Sequence, residues 1–159
     1  MEQNVRFKKI RKDEFDRLKR LFPSGEDTWK KYRGIRLGLL EDHKMDIFVA
    51  EAGADVIGEL TVSYTSDELQ SETVPGLRVY LSAYRVEAAH RGRGIGQKLL
   101  DYVLKAMEAE GYTEFTIGVE DDNEVAKHIY FKYGFADPID HGDGDEFDPT
   151  AYTLYLRRK

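Results

Sequence analysis

The sequence has no cysteine among its 159 residues. Disulfides, thiolate metal sites and a cysteine nucleophile are therefore excluded. Long apolar runs are missing too, since no stretch approaches the ~20 residues that a helix needs to cross a bilayer. The first residues, Met1-Glu2-Gln3-Asn4, are too polar for a signal peptide. We therefore expect a cytoplasmic protein with no metal cofactor.

Basic residues are fewer than acidic ones in this chain. Lysine and arginine number 24 against 30 aspartates and glutamates, which gives a net charge of -6 and a pI near 5.3. Such a surface repels nucleic acid and anionic membranes, so neither is an expected partner. Hydrophobic residues make up 41% of the chain, as in globular proteins. The length is typical of one domain, and we expect a single domain over residues 1–159.

Apolar residues recur with strand and helix periods along most of the chain. Alternation predicts strands, and helical spacing between capping residues and glycines predicts helices. The predicted strands cover residues 5–10, 47–50, 55–62, 77–86, 115–119 and 151–156. The predicted helices begin at Asp13, after Asp27 or Thr28, at Gly94 and at Asn123. Residues 137–149 are acidic, do not match a calcium-binding loop, and are predicted to form a solvated loop.

The segment between the strand at 77–86 and the helix from Gly94 is rich in glycine and arginine. It reads Ala89-His90-Arg91-Gly92-Arg93-Gly94-Ile95-Gly96-Gln97. Glycines at alternate positions let the backbone turn sharply and approach a ligand. The helix that follows directs unpaired N–H groups and a partial positive charge to the same point. This combination is typical of a phosphate or pyrophosphate site.

The glycine spacing excludes two common phosphate loops. A dinucleotide-binding G-x-G-x-x-G needs a glycine where this chain has Gln97 or Leu99. A Walker-type loop needs a serine or threonine after its lysine, and none follows Lys98. The segment therefore belongs to neither class of phosphate site.

Two other patterns do fit. R-x-x-G-x-G covers Arg91, Gly94 and Gly96, and N-x-x-A-x-x-x-Y-x-x-x-G-F matches at every fixed position from Asn123 to Phe135. Two independent motifs in this order are far more specific than either alone. Together they resemble the signatures of the GNAT superfamily of N-acetyltransferases, and the resemblance covers residues 47–135.

The resemblance implies a particular α/β (α+β) fold. A GNAT-like domain has a central mixed, mostly antiparallel sheet of about seven strands with helices on both faces. Domains of this kind often dimerise, so the resemblance also implies that a homodimer can form.

The resemblance further implies transfer of an acetyl group from the cosubstrate acetyl-CoA to a primary amine by direct attack. The glycine-rich loop suits the pyrophosphate of coenzyme A through Arg91, Gly92, Arg93, Gly94, Ile95, Gly96 and Gln97. In family members the backbone of the preceding strand binds the pantetheine arm like an added strand, which falls here on Tyr84, Arg85 and Val86. Asn123 matches the residue whose side-chain amide contacts that arm.

Tyr130 occupies the position of the family's general acid. A phenol with a pKa of about 10 can protonate the departing thiolate, because the sulfur becomes more basic as it leaves. The alternative for Tyr130 is a tyrosine that only packs in the core.

The general base is not given by a motif. Positions at which some family members carry a glutamate are Tyr80 and Gly118 in this chain. Glu59, on the neighbouring strand, is a candidate that acts directly or through water, and the alternative places it on a solvent-facing side. A cleft that binds the free amine directly needs no dedicated base.

The acceptor is not given by a motif either. Trp29, Tyr32, Leu37 and Leu40 pack in the core or, as the resemblance suggests, wall an acceptor pocket. Acidic runs at residues 120–122 and 137–148 attract a small cationic acceptor or simply solvate the surface. The competing functional hypothesis is a non-catalytic module of the same fold that binds CoA as a structural or sensing ligand.

Overall fold

The computed structural model describes residues 4–144 and 149–159. Seven strands, three α-helices and three 3₁₀ helices form within these residues. In chain order they are β1 Val5–Lys9, a 3₁₀ helix Lys12–Leu21, α1 Glu26–Glu41, β2 Met45–Ala52, β3 Asp55–Ser63, a 3₁₀ helix Gln70–Glu72, β4 Arg78–Val86, a 3₁₀ helix Ala88–His90, α2 Ile95–Ala109, β5 Glu114–Glu120, α3 Glu124–Lys132, β6 Asp137–Gly142 and β7 Tyr152–Arg158. Across these two ranges, no helix has both the length and the apolar character to cross a bilayer.

These elements group into two compact units. One unit holds the described chain up to Val62 together with Ala83–Ala106, and the other holds Ser63–Ser82 and the described residues from Met107 onward. The strands are hydrogen-bonded in the order β1-β2-β3-β4-β5-β7-β6, and β4 contributes residues to both units. The predicted mixed seven-stranded sheet is therefore confirmed.

In the first unit the sheet begins with three antiparallel strands. β1 pairs with β2 from Val5 opposite Ala52 to Lys9 opposite Phe48. β2 and β3 are neighbours that only Gly53 and Ala54 separate along the chain, so they form a hairpin. The turn needs the left-handed conformation that glycine allows, and Gly53 has a φ of +61°.

Helices pack on both faces of β3 within this unit. A Cβ added at Gly58 would lie 3.7 Å from Leu99 Cδ2, so one face meets α2. Thr61, on the other face, accepts a hydrogen bond from Arg36 of α1. The predicted apolar stripe of α2 is buried here, at Ile95, Leu99, Leu100, Val103 and Leu104. The expectation of helices on both faces thus holds for the first unit.

The second unit contains the parallel pair of the sheet. β4 pairs with β5 from Arg78 opposite Glu114 to Leu81 opposite Ile117. β5 pairs antiparallel with β7 along its whole length, and β6 pairs antiparallel with β7. α3 follows β5 and begins as predicted, because Asn123 Oδ1 accepts the Ala126 N–H at 3.0 Å.

The prediction of a solvated loop over residues 137–149 is wrong for its first part. Asp137–Gly142 form the strand β6, which pairs with β7 across an irregularity between Pro138 and Asp140. β6 lies at the end of the strand order, where the missing N–H of a proline costs no hydrogen bond within the sheet. The rest of the acidic run includes Asp145, Glu146, Phe147 and Asp148, which lie outside the described residues.

The first two helices begin earlier than predicted. The first is a 3₁₀ helix whose cap is Arg11 rather than Asp13, and the Glu14 carboxylate accepts the Arg11 backbone N–H at 3.0 Å. α1 begins at Glu26, so that Asp27 lies in its first turn instead of preceding it. Carboxylates in a first turn stabilise a helix through its dipole as well as by capping, which explains why both helices begin earlier than predicted.

Candidate active site

The glycine-rich loop joins a 3₁₀ turn, Ala88–His90, to the first turn of α2. Gly92 and Gly94 have φ values of +80° and +76°, a conformation that residues with a Cβ rarely adopt. Ile95 is 6% exposed and anchors the helix start, while Arg91, Arg93 and Gln97 are exposed. The loop therefore presents arginine side chains and the first N–H groups of α2 to solvent.

The three glycines of the loop do different things. A Cβ added at Gly92 or Gly94 would meet no atom within 4 Å, so the backbone at these positions borders open space. A Cβ added at Gly96 would instead lie 3.0 Å from Tyr84 Oη and 3.3 Å from Val86 Cγ2. Gly94 thus leaves room for a group outside the chain, whereas Gly96 is required by packing against β4.

The end of β4 supports the loop from one side. The Tyr84 hydroxyl donates a hydrogen bond to the Gly96 carbonyl, and the Arg91 Nε donates one to the Val86 carbonyl at 2.9 Å. Ala83, just before, has a φ of +51° within the strand, which interrupts its regular alternation. The sequence predicts none of this distortion, because alanine carries no signal for a left-handed conformation.

Glu59 is buried on β3, so the solvent-facing alternative is wrong. The residue is only 2% exposed, and its Oε1 lies 3.4 Å from Arg85 Nη1. Burial raises the pKa of the Glu59 carboxyl, and the nearby charges of Arg85 and Arg36 oppose this effect. A carboxyl whose pKa is raised toward neutrality is suited to accept a proton from an amine.

Arg36, Arg85 and Tyr32 surround Glu59. The sequence predicts a backbone role for Arg85 and a packing or pocket role for Tyr32, but it predicts no contact of any of the three with Glu59. Arg36 of α1 donates to Thr61 Oγ1, and its guanidinium lies 5.0 Å from the centre of the Tyr32 ring. Arg85 lies 5.9 Å from the Phe22 ring. The available signal was the position of Arg36, four residues after Tyr32 on the apolar stripe of a predicted helix, where a charge indicates a buried partner.

The second unit carries the residues of the second motif on and beside α3. Asn123 is exposed and its Oδ1 caps the helix, so its amide nitrogen is the part that is left for a ligand. Tyr130 packs edge-on against Phe135, with ring centres 6.2 Å apart. Burial raises the pKa of Tyr130 to about 12, so the phenol stays protonated at physiological pH.

Gly118 leaves no room for the glutamate that some family members carry there. A Cβ at Gly118 would lie 2.8 Å from Cδ2 of Tyr152. The Tyr152 hydroxyl donates to Glu68 Oε2 at 2.6 Å, which holds the ring in this place. The ring of Tyr152 therefore fills the space of a side chain at this position.

The comparison with known proteins decides the family. Residues 7–135 match the model of the acetyltransferase (GNAT) family. The chain belongs to the GNAT family. Both motifs, at residues 91–96 and 123–135, lie within the matched residues.

Curated relatives of this GNAT chain are acetyltransferases of greater length. The chain is 34% identical over 90 residues to mycothiol acetyltransferase of Corynebacterium glutamicum, which covers 57% of the chain and 28% of that protein. It is 28% identical over 118 residues to N-acetyltransferase 8 of Rattus norvegicus, which covers 67% of the chain and 50% of that protein. The chain thus spans about half or less of the length of these two relatives.

Solved GNAT structures share the fold. One is a GNAT family acetyltransferase from Elizabethkingia anophelis with acetyl-CoA bound, which superposes with a TM-score of 0.67 at 16% identity. The match covers 99% of this chain and all of that one, at 100%. At this identity the likeness establishes the fold alone.

Proposed function

We propose that this GNAT protein transfers the acetyl group of acetyl-CoA to the primary amine of a small molecule by direct attack. The observation that carries the proposal is the loop from Arg91 to Gln97. Its backbone borders open space at Gly92 and Gly94, and its arginines are exposed. N–H groups at a helix start together with arginine side chains suit a pyrophosphate.

The chain offers groups that fit the other parts of acetyl-CoA. The loop residues would hold the pyrophosphate, and the backbone of Tyr84, Arg85 and Val86 would hold the pantetheine arm. The Arg91 side chain donates a hydrogen bond to the Val86 carbonyl in the structure. When acetyl-CoA binds, the Arg91 side chain would leave this carbonyl and contact the pyrophosphate instead. Asn123 would offer its amide nitrogen to the arm.

The proposed chemistry needs one proton acceptor and one proton donor. Acetyl-CoA supplies a thioester, whose carbonyl carbon the amine nitrogen attacks. As the C–N bond forms and the C–S bond breaks, Glu59 takes the proton that leaves the nitrogen, directly or through water. Tyr130 gives its proton to the departing sulfur. The balance is one amide and one free thiol, with both residues restored by proton exchange with water.

A second candidate function is a module that binds CoA without turnover. The absence of a glutamate at Tyr80 and Gly118 favours it, because these are positions of the base in some family members. The buried Glu59, with its raised pKa, argues for catalysis instead. Release of free CoA in the presence of amines separates the two functions.

The charge of the acceptor is open to two arguments. The acidic runs of the sequence suit either a cationic acceptor or a solvated surface, and several of these carboxylates have partners. Asp137 pairs with Arg158 at 3.0 Å, Asp140 accepts a hydrogen bond from Ser71, and Asp121 accepts one from Thr153 at 2.7 Å. Partnered carboxylates attract a distant cation less than free ones.

Replacing Gly94 by alanine tests the role of the loop. A side chain at this position makes a φ of +76° unfavourable and so distorts the loop. Its Cβ also projects into the open space beside the backbone, where it would hinder the approach of a phosphate. We expect the Gly94→Ala protein to bind acetyl-CoA about tenfold more weakly or worse. Isothermal titration and ligand-induced thermal stabilisation measure the change.

Gly53→Ala is the matched control. Gly53 also has a positive φ, +61°, and open space around it, but it lies in the β2–β3 turn. It should show a similar loss of stability and keep the affinity for acetyl-CoA. A folded Gly94→Ala protein with unchanged affinity would mean that the loop does not bind the pyrophosphate.

A further inference from the structure

Positive charge exceeds negative charge in a cluster of the first unit that consists of Arg36, Arg85, Glu59, Thr61 and Tyr32. Glu59, Thr61 and Tyr32 are buried, whereas the two arginines are partly buried. Its two guanidiniums face one carboxylate, that of Glu59. Tyr32 is 7% exposed, and burial raises the pKa of its hydroxyl, so it adds no negative charge. Charges that are largely removed from water are normally paired, and this cluster has one cation more than it has anions.

Arg36 carries the unbalanced charge. Its Nη2 donates to the neutral Thr61 hydroxyl, whereas its Nε is buried and has no hydrogen-bond partner among the described residues. Arg85, by contrast, has Glu59 as a counter-ion at 3.4 Å. An unpaired buried donor on a charged group is costly, so it indicates a partner from outside the chain.

We propose that the acceptor carries a carboxylate besides its amine, and that Arg36 binds this carboxylate. The proposal rests on the proposed acetyl transfer. Nε and Nη2 form one edge of the guanidinium, and such an edge binds a carboxylate with two parallel hydrogen bonds. The bound carboxylate supplies the missing partner of Nε and balances the charge of the cluster.

The position of Glu59 fits the other end of the same molecule. Glu59 and Thr61 lie two residues apart on β3, so their side chains leave the same face about 7 Å from each other. A carboxylate held at Arg36, beside Thr61, would therefore place a nearby ammonium or amine toward Glu59. Amino acids and short peptides with a free C-terminus combine the two groups at such distances.

Pairs of acceptors that differ only in the carboxylate test the proposal. Turnover is measured for several amino acids and for the corresponding carboxamides, with spermidine as the cationic acceptor. We expect the wild-type protein to prefer the acids. In Arg36→Met, kcat/KM for the acids should fall about 10- to 100-fold relative to the carboxamides, mainly through KM.

Two variants serve as controls. Arg33→Met removes an arginine of the same helix that pairs with Asp16 on the surface, and it should leave the preference unchanged. Arg36→Lys keeps the charge without the planar edge and should restore part of the preference. Thermal unfolding and acetyl-CoA affinity show that each variant is folded.

Three results would overturn the proposal. The first is a wild-type protein that acetylates spermidine or the carboxamides as well as the acids, or better, which would favour the cationic or a neutral acceptor. The second is an equal loss for acids and carboxamides in both Arg36 variants, which would give Arg36 a purely structural role. The third is binding of acetyl-CoA without transfer to any amine, which would overturn the proposed function itself, and this proposal with it.

Discussion

Burial changes the acid–base behaviour of both proposed catalytic residues in the same direction. It raises the pKa of Glu59 and raises the pKa of Tyr130 to about 12, since a buried group disfavours its charged form. For Glu59 this increases the affinity for a proton from the amine. For Tyr130 it means that transfer to a thiolate, whose conjugate acid has a pKa of about 8.5, is favourable only while the sulfur is becoming basic in the intermediate.

Removing the Tyr130 hydroxyl tests this role. Tyr130→Phe keeps the ring that packs on Phe135 and removes the proton donor. We expect turnover to fall by about tenfold or more while the affinity for acetyl-CoA changes little. Tyr133→Phe, three residues further along the chain, is the control and should keep full turnover. Unchanged turnover in Tyr130→Phe, with chemistry shown to be rate-limiting, would leave Tyr130 with a packing role only.

The pH profile sharpens the same test. Because the pKa of Tyr130 is about 12, its loss of a proton lies above the range in which enzymes are assayed. Ionisation of Tyr130 should therefore not lower the wild-type rate at alkaline pH. The wild type and Tyr130→Phe should have pH profiles of the same shape in the alkaline range. The rise of the rate with pH should reflect the acceptor amine and the raised pKa of Glu59.

Sequence motifs predicted the loop and the cap residue but not the cluster around Glu59. Gly94 and Asn123 are required by local backbone geometry, which produces a recognisable pattern in neighbouring positions of the sequence. Arg36 and Glu59 lie on separate elements, and only packing of α1 on β3 brings them together. Their burial is a tertiary property, which no local pattern expresses.

At the scale of elements, the 3₁₀ helix Lys12–Leu21 is tied to β1 by a carboxylate. Glu14 Oε2 accepts a hydrogen bond from Lys8 Nζ at 2.7 Å, and Arg17 Nη1 donates to the same oxygen at 2.9 Å. The hydrogen bond from Lys8, followed by that from the Arg11 backbone, lowers the pKa of Glu14 to about 2. The ionised carboxylate is therefore the form that stabilises this helix.

The pH dependence of stability tests that link. The folded pKa of Glu14, about 2, lies below the ordinary value of 4.5 for a glutamate, so its contribution is complete above about pH 4.5 and is lost as the pH falls toward 2. Glu14→Gln should be less stable than the wild type by about 1 kcal/mol near pH 7. Urea unfolding at a series of pH values should show this difference shrinking below pH 4.5, the ordinary pKa of a glutamate.

Asp13→Asn is the control for this experiment. Asp13 lies beside Glu14, and its side chain is 74% exposed, so its ion pair with Arg11 contributes little. Its stability should follow that of the wild type at every pH. A difference between wild type and Glu14→Gln that persists unchanged at low pH would show that the carboxylate is not the stabilising form.

Element prediction succeeded where the composition agreed with the fold. β2 and β3 are rich in apolar residues and are separated by the turn at Gly53, so their pattern is clear. β6 contains aspartate, proline and glycine, which are rare in strands, and it forms because β7 offers a partner at the edge of the sheet. A strand that depends on its neighbour in this way leaves no signal in its own sequence.

At the scale of the whole molecule, the GNAT family membership and the seven-stranded sheet support the proposed acyl transfer. The homodimer and the single domain implied by the sequence stay predictions. The central claim is that this chain turns over acetyl-CoA with a primary amine instead of only binding it.

An assay of free CoA release tests that claim most directly. Since the chain has no cysteine, a thiol reagent detects CoA without reacting with the protein. With acetyl-CoA and a panel of amino acids, carboxamides and polyamines, we expect thiol release that matches the acetylated amine formed and that, at low acetyl-CoA concentration, falls about tenfold or more in Gly94→Ala. Tight binding of acetyl-CoA with no release above the uncatalysed rate for any amine would contradict the claim and leave a CoA-binding module.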